Sequence, residues 1–258
     1  NEMAGELRRR EENLKTINEE LKALNKSYLD VVGFVSHELK GIVATTIMNA
    51  GAVREGLFGQ INAKQEQALD AVTKNLGYLG ETVKKFLDLS RIEKGELAVV
   101  RKTVRLREDV FDPCVETFKA EIANRRMAVT NNIAANVIVS GDIDLLHIVA
   151  NNLVGNAVTY GLDGGRVAIS CEDIGDKVRV EVYNDSQPIA EEDKARLFKK
   201  FSRLDRKAGV RIKGTGLGLY ITKEIIAKHG GDVWVEPREN GNSFILTIDK
   251  ESKSAPEH

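Results

Sequence analysis

Three groups of residues have the types and spacing to do chemistry together. The first is Ser36-His37-Glu38-Leu39-Lys40. An imidazole is a nucleophile whose charge changes near neutrality. A carboxylate beside it can take the proton from one ring nitrogen and leave the lone pair of the other free. Adjacent helix residues do not face each other, but a Glu side chain is long enough to reach around. Taken singly, a His-Glu pair is more often an ordinary exposed histidine.

The second group is Asn151-Asn152-Leu153-Val154-Gly155-Asn156. Asn152 and Asn156 are four apart and share a helical face. Amide oxygens are hard ligands that suit a Mg²⁺ ion held mainly by phosphates and water. A plain polar face is the competing reading. The third group is Gly214-Thr215-Gly216-Leu217-Gly218-Leu219, which opens an apolar helical pattern through Tyr220, Ile221, Ile225 and Ile226. Glycines let backbone N–H groups approach an oxyanion, and a helix N-terminus favours negative charge. A glycine-rich cap that only permits close packing is the alternative. Between these groups, Ser202 to Lys213 carries Arg203, Arg206, Lys207, Arg211 and Lys213 with almost no apolar anchor. Such a basic flap suits closure over a triphosphate, and a solvated loop is the rival. Arg203 is the candidate for a γ-phosphate contact, because a guanidinium binds it bidentately. Together the groups point to phosphoryl transfer from ATP to His37.

Positioning these residues calls for two kinds of structure. Leu7, Leu14, Leu21 and Tyr28 recur every seven residues, with Ile17, Leu24 and Val31 three further on and Arg10 as the polar exception. That is a coiled-coil seam between two chains, or else an amphipathic helix packed within its own domain. The helical pattern continues from Ser27 to Gly56 despite Gly33, Gly41 and Gly51, turns at Gly56-Leu57-Phe58-Gly59, and resumes from Asn62 to Glu93. Two such helices cannot bury both apolar stripes alone, and pairing with a second chain into a four-helix bundle resolves this. Lys94-Gly95-Glu96 ends the pattern. Strands are expected at Leu97–Arg101, Met127–Ile133, Val167–Cys171, Val178–Tyr183, Val233–Glu236 and Phe244–Ile248. Helices are expected at Leu106–Arg126, Ile143–Tyr160, Glu191–Phe201 and Thr215–His229. Several strands adjoin in sequence, which favours a mixed or largely antiparallel sheet with helices on one face.

The chain has 258 residues, long enough for one or two domains. Lys plus Arg number 38 against 39 Asp plus Glu, so no global charge bias points to nucleic acid or anionic lipid. Only Cys114 and Cys171 occur, too few for a disulfide framework, and buried reduced thiols in a cytoplasmic setting are expected. No apolar run is read as a membrane span, and the acidic, Arg-rich start does not resemble a signal peptide. The chain opens on Asn1 in mid-pattern. A membrane or sensor segment would then lie upstream, outside this sequence.

The segments together resemble the catalytic core of two-component sensor histidine kinases, from about Ser27 to Lys250. The phosphoacceptor box is His37 to Lys40, and the asparagine box runs from Asn152 to Tyr160. The phenylalanine box is Leu197-Phe198-Lys199-Lys200-Phe201, and the second glycine box runs from Gly214 to Leu219. The join Leu89-Ser90-Arg91-Ile92-Glu93-Lys94-Gly95 is similar as well. The resemblance implies an α plus α/β architecture. A coiled coil (1–26) leads into a dimeric helical hairpin carrying the phosphoacceptor (27–95), followed by a Bergerat-type ATP-binding sandwich with a mixed sheet (96–250) and a polar tail (251–258). It also implies ATP and Mg²⁺, a homodimer, and a response-regulator aspartate as the next phosphate acceptor. Asn156 would ligate Mg²⁺, Asn152 would lie beside the phosphates, and Tyr160 would lie near the base or ribose. The basic flap becomes a lid over Gly214, Thr215, Gly216, Leu217 and Gly218, with Phe198 and Phe201 packing its base.

The sequence departs from the family in three places. The first glycine box, normally Asp-x-Gly-x-Gly, aligns with Asn184-Asp185-Ser186-Gln187-Pro188-Ile189. Asn184 keeps an acceptor for the adenine amino group without the charge, with Asp185 as a stand-in. Thr159 replaces a frequent Lys, leaving Lys213 and the lid arginines to compensate. Gly41 and Ile42 stand where Thr or Asn and a Pro are usual, which implies weak phosphatase activity. A catalytically impaired relative acting as a dimeric scaffold, and an ATPase sharing only the nucleotide fold, are the alternative readings.

Overall fold

The computed structural model describes residues 2–204 and 214–250, with backbone alone at some positions before residue 27. Arg206, Lys207, Arg211, Lys213 and the tail lie outside the described residues. The chain divides into two compact units, Asn1–Leu97 and Ala98–His258.

The first unit is a helical hairpin. Helix α1 runs unbroken from Glu2 to Arg54, so the coiled-coil pattern passes into the His37 segment without a joint. Gly56 and Gly59 take φ of 78° and 113° and reverse the chain. Helix α2 (Ala63–Glu93) starts on a capping box, in which Asn62 Oδ1 accepts from the N–H groups of Lys64 and Gln65 while Gln65 Oε1 accepts from Asn62 N–H. Lys94 lies 2.6 Å from Asp30, Ser90 Oγ donates to Leu29 O at 3.1 Å, and Arg54 lies 3.9 Å from Asp70. The helices are therefore antiparallel along their length. By length and composition Ser27–Arg54 is apolar enough to cross a membrane, which corrects the expectation that no run comes near. In the fold this stretch is the part of α1 that packs along α2.

Leu29, Ser36, Val43 and Ala50 recur every seven residues and are buried against α2. Tyr28, Val31, Val35 and Ile42 form a second stripe that stays exposed, continuous with Leu14, Ile17, Leu21 and Leu24. Leu29, Ser36 and Val43 each follow a stripe position by one residue, or about 100° around the helix. His37 follows by one more, and so points away from both stripes.

In the second unit β1 (Lys102–Arg105) pairs antiparallel with β3 (Ile138–Gly141) as a separate ribbon, joining Val104 to Val139. The strand expected at Leu97–Arg101 lies further on, because Val104 is the residue that turns inward. Strand β3 was not anticipated. The main sheet contains β2 (Ala128–Asn131), β4 (Arg166–Asp173), β5 (Lys177–Asp185), β6 (Val233–Arg238) and β7 (Gly241–Asp249), in the order β2-β4-β5-β7-β6. Only β2 and β4 run parallel, so the sheet is mixed as expected. Along β5, Val178, Val180, Val182 and Asn184 are buried while the alternate residues are half-exposed. Helix α5 (Ile143–Tyr160) packs on β5, helix α7 (Gly218–Lys228) packs on β6 and β7, and the two helices touch. The expected helix over 106–126 is broken into a π-helical turn (Leu106–Phe111), α3 (Asp112–Thr117) and α4 (Lys119–Asn124). Pro113 enters α3 in its first turn, and Phe118 leaves the helical region between α3 and α4. Short α6 (Glu191–Leu197) follows the loop after β5.

Cys114 is buried, and desolvation pushes its thiol up to about 12. Cys171 is only half-buried, short of the expected full burial, and burial with nearby Asp173 pushes it to about 11. Both thiols are therefore protonated and inert near neutrality.

His229, fully buried at the end of α7, joins the two helices. Its Nε2 accepts from Asp142 N–H at 3.0 Å, and its Nδ1–H donates to Ile225 O at 2.8 Å. Burial is the main cause holding the ring below its ordinary 6.5, with Arg101 adding to it and Asp142 and Asp249 opposing. The neutral ring is favoured on folding, so its stabilisation is full above the ordinary value and is lost as pH falls toward the depressed one. Urea unfolding should show the second unit losing stability as pH falls through the ring's ordinary 6.5, and His229→Gln, which cannot titrate, should flatten that slope. An equal slope in the variant would refute the assignment.

Candidate functional site

Helix α5 is held at both ends. At its start Asp142 Oδ1 accepts from the N–H groups of Asp144 and Leu145, while Oδ2 accepts from Val100 N–H. At its end the Arg125 guanidinium donates to the carbonyls of Val158, Thr159 and Gly161 and to Asp163. These are the carbonyls a helix end leaves without partners. Arg125 thereby fixes the last turn, which carries Tyr160, and sequence reading missed it because its partners lie more than thirty residues away.

Leu145, Leu146, Val149, Leu153, Val154 and Val158 bury the apolar faces of α5. Asn152, Asn156 and Tyr160 are half-buried on the remaining face, spaced one turn apart. Gly155, between the two asparagines, makes room for Phe118: a Cβ there would lie 2.9 Å from Phe118 Cζ.

The glycine segment closes against this face. A Cβ on Gly218 would lie 2.8 Å from Asn152 Oδ1, and one on Gly214 would lie 3.8 Å from the Tyr160 hydroxyl. Gly216 has φ of 69°, and a Cβ there would come within 2.7 Å of the backbone at Phe201. Thr215 Oγ1 accepts from Leu217 N–H at 3.3 Å. Leu217 itself is fully buried, so its side chain belongs to the core and not to a ligand surface. Helix α7 begins at Gly218, three residues later than expected, and presents its first-turn N–H groups beside Asn152.

Asn152 Nδ2 is buried without a hydrogen-bond partner among the described residues. A buried donor left open costs roughly 1–3 kcal/mol, and its natural partner would be an acceptor on a bound group. Glycines without side chains, open helix amides and an unspent amide donor fit the phosphate end of a nucleotide. The described residues contain no group of three or more His, Cys, Asp or Glu placed to hold a metal ion. A divalent ion here would take its ligands from amide oxygens such as that of Asn156, from phosphates and from water.

Asn184 and Asp185 part company on β5. Asn184 is 2% exposed and lies on the helix-covered face, paired across the sheet with Val167 and Asn242. Asp185 lies on the opposite face, where its carboxylate accepts from the Tyr183 hydroxyl at 2.7 Å and Arg166 N–H at 2.8 Å. Burial, then the Asp185 carboxylate, pushes the Tyr183 phenol above its usual range. Strand alternation thus keeps Asp185 from standing in for Asn184. The loop after β5 is fixed by Asn242, unnoticed in the sequence: Nδ2 donates to Ser186 Oγ and Gln187 O, and Oδ1 accepts from Ile189 N–H.

Phe198 is half-buried and Phe201 is 57% exposed with φ of 58°, while most of the flap they are expected to underlie falls outside the described residues. Arg203 is exposed, and Lys200 stacks 5.2 Å from the Tyr220 ring centre. In the first unit, His37 and Glu38 side chains are 82% and 61% exposed, with Nδ1 3.6 Å from Glu38 Oε1.

Residues 141–252 match the family described as histidine kinase-, DNA gyrase B- and HSP90-like ATPase. The catalytic domain of the histidine kinase ThkA is 33% identical, with a TM-score of 0.52, over 58% of this chain and 96% of that domain. This chain belongs to the histidine kinase family. ThkA in complex with the response regulator TrrA is 28% identical with a TM-score of 0.59, over 84% of this chain and 63% of that one. The sensor-like histidine kinase SenX3 of Mycolicibacterium smegmatis is 29% identical over 85% of this chain and 56% of that protein. The chain thus spans about half the length of the curated relatives it matches.

Replacing Asn152 by the similarly sized Leu removes the buried unpaired donor. Its unfolding free energy from urea titration should hold or rise, by up to about 1–2 kcal/mol. A clear drop would mean that Asn152 is a structural residue whose amide is satisfied.

Proposed function

We propose that this chain is the cytoplasmic core of a sensor histidine kinase that phosphorylates His37 from Mg-ATP and passes the phosphoryl group to a response-regulator aspartate. The observation that carries the reading is the open face of α5, where Asn152 keeps an unspent buried donor beside the glycine start of α7. In this reading residues 96–250 are the catalytic domain and 27–95 the dimerisation and phosphotransfer domain. Residues 1–26 are the signalling coiled coil. The exposed stripe from Leu14 to Ile42 pairs with the same stripe of a second copy.

His37 Nε2 attacks the γ-phosphorus, the bond from phosphorus to the bridging oxygen breaks, and ADP leaves. The Nδ1 proton passes to Glu38, whose Oε1 needs only a small rotamer change from 3.6 Å to accept it. Asn152, the α7 amides at Gly218 and beyond, and Arg203 orient the phosphates, while Tyr160 flanks the base or ribose. Mg²⁺, held by the Asn156 amide and the phosphates, would supply charge neutralisation. Outward-facing His37 is then open to the regulator as well.

Gly41 follows His37 by one turn, and beyond its own helix backbone and chain neighbours no atom lies within 4 Å of where a side chain would begin, so nothing in the packing calls for glycine there. The reading is therefore a kinase with weak phosphatase activity. Thr159 and the rebuilt loop after Asn184 favour a second reading, an impaired kinase acting as a dimeric scaffold. Absence of Mg²⁺-dependent ATP binding in calorimetry would select that one.

With radiolabelled ATP, His37→Gln should keep nucleotide affinity within about twofold and form no acid-labile phosphoprotein, since an exposed side chain far from any core contact is removed. Persistent labelling of the variant would displace His37 as acceptor. Gly41→Thr fits without steric cost and should speed dephosphorylation of the regulator by tenfold or so, the scale of one positioned polar group. Fast dephosphorylation by the unaltered protein, unimproved by the substitution, would count against a weak phosphatase.

A further inference from the structure

The end of β5 holds an amide that is almost wholly buried and barely committed. Asn184 is 2% exposed, yet its side chain makes one hydrogen bond among the described residues, Nδ2 to Asp185 O at 3.5 Å. That is the outer limit of a hydrogen bond and holds the amide weakly. Its neighbours do not compete for it. Val167, across the sheet on one side, is apolar, and Asn242, on the other, spends its amide on Ser186, Gln187 and Ile189. Asn184 also lies close to the end of α5, because the following residue's carbonyl, Asp185 O, accepts from Leu162 N–H two residues past Tyr160.

A buried amide so lightly tethered can turn over at little cost, and the two ends of an amide are opposite in character. Its oxygen accepts and its nitrogen donates, whereas a carboxylate can only accept. At the 6-position of a purine, adenine presents an amino donor, while hypoxanthine and guanine present an oxo acceptor. A carboxylate would meet the amino group and repel the oxo group. Asn184 can face either by rotating half a turn.

We propose, resting on the nucleotide reading above, that Asn184 makes this pocket accept 6-oxopurine nucleoside triphosphates alongside ATP. Asn184 is then the residue that sets purine selectivity, and Asn242 positions it by holding the loop that follows. Inosine triphosphate is the clean probe, because it differs from ATP at the 6-position without the extra 2-amino group of guanine.

The test is calorimetric titration of the full chain with Mg-ATP and with Mg-ITP, repeated on Asn184→Asp and, as a control for folding, on Asn184→Leu. The native chain should bind the two nucleotides within about tenfold of each other. In Asn184→Asp the ratio should move at least another tenfold toward ATP, the scale of one buried unmatched hydrogen bond. Asn184→Leu should weaken both nucleotides and leave their ratio near one, which a merely structural residue would share only if the Asp variant did so too. Rejection of ITP by more than about a hundredfold in the native chain, or an unchanged ratio in Asn184→Asp, overturns the proposal while leaving ATP binding intact. Failure of both nucleotides to bind the native chain overturns the nucleotide reading and this selectivity with it.

Discussion

The second unit depends on one helix being core on most of its surface and open on the rest. Helix α5 spends its apolar faces on the sheet and on its neighbours, so Asn152, Asn156 and Tyr160 have no freedom to hide. Their row can work as a site only if the helix does not shift, and the chain pins it from both ends. Asp142 and His229 hold the start, and the Arg125 guanidinium holds the final carbonyls. Each anchor comes from a different part of the chain, which makes the position of the open face a property of the whole unit. Precise placement matters at any site that stabilises charge, because the groups that do so must already be in position.

The first unit obeys a related constraint. An α-helix with two apolar stripes about 100° apart has one direction farthest from both. Burial of Leu29, Ser36, Val43 and Ala50 against α2 defines one stripe, and the Tyr28, Val31, Val35 and Ile42 row defines the other. His37 stands in the remaining direction, so packing alone keeps it in solvent. Glu38, one residue on, falls on the second stripe's side and still reaches the ring. Because α1 is continuous from Glu2, any rotation or shift at its start is carried to His37 through an unbroken hydrogen-bond ladder.

Local patterns were legible in the sequence wherever one element satisfied itself. The bounds of α5, the Asn62 start of α2 and the glycine reversal after α1 follow from periodicity and capping, which depend on neighbours a few residues away. Long-range pairing was not legible. Strand β3 is a four-residue segment whose identity comes from pairing with β1, and Arg125 and Asn242 are ordinary polar residues until their distant partners are known. The helix expected over 106–126 failed for a tertiary reason, since the π-helical turn and the break at Phe118 let that ring reach Gly155 on α5. Leu217 and Asp185 show the same limit at the site: motif membership named them, and side-chain direction assigned one to the core and the other to the far face of the sheet.

The departures at the first glycine box look like losses in the sequence and like an exchange in the structure. Glycines free a loop to adopt tight turns and to come close to a ligand. Here the loop Ser186–Ile189 has none, and Asn242 fixes it through its whole amide instead. A loop held from β7 does not need glycine to find its shape, because an already formed strand supplies the constraint. The consequence is that the end of β5, the loop and the β6–β7 hairpin are tied to one another. Ser186 N–H also donates to Asn240 O in that hairpin, a second tie across the same gap. Asn184 therefore sits on a rigid edge, and any latitude there must come from rotation of its own amide.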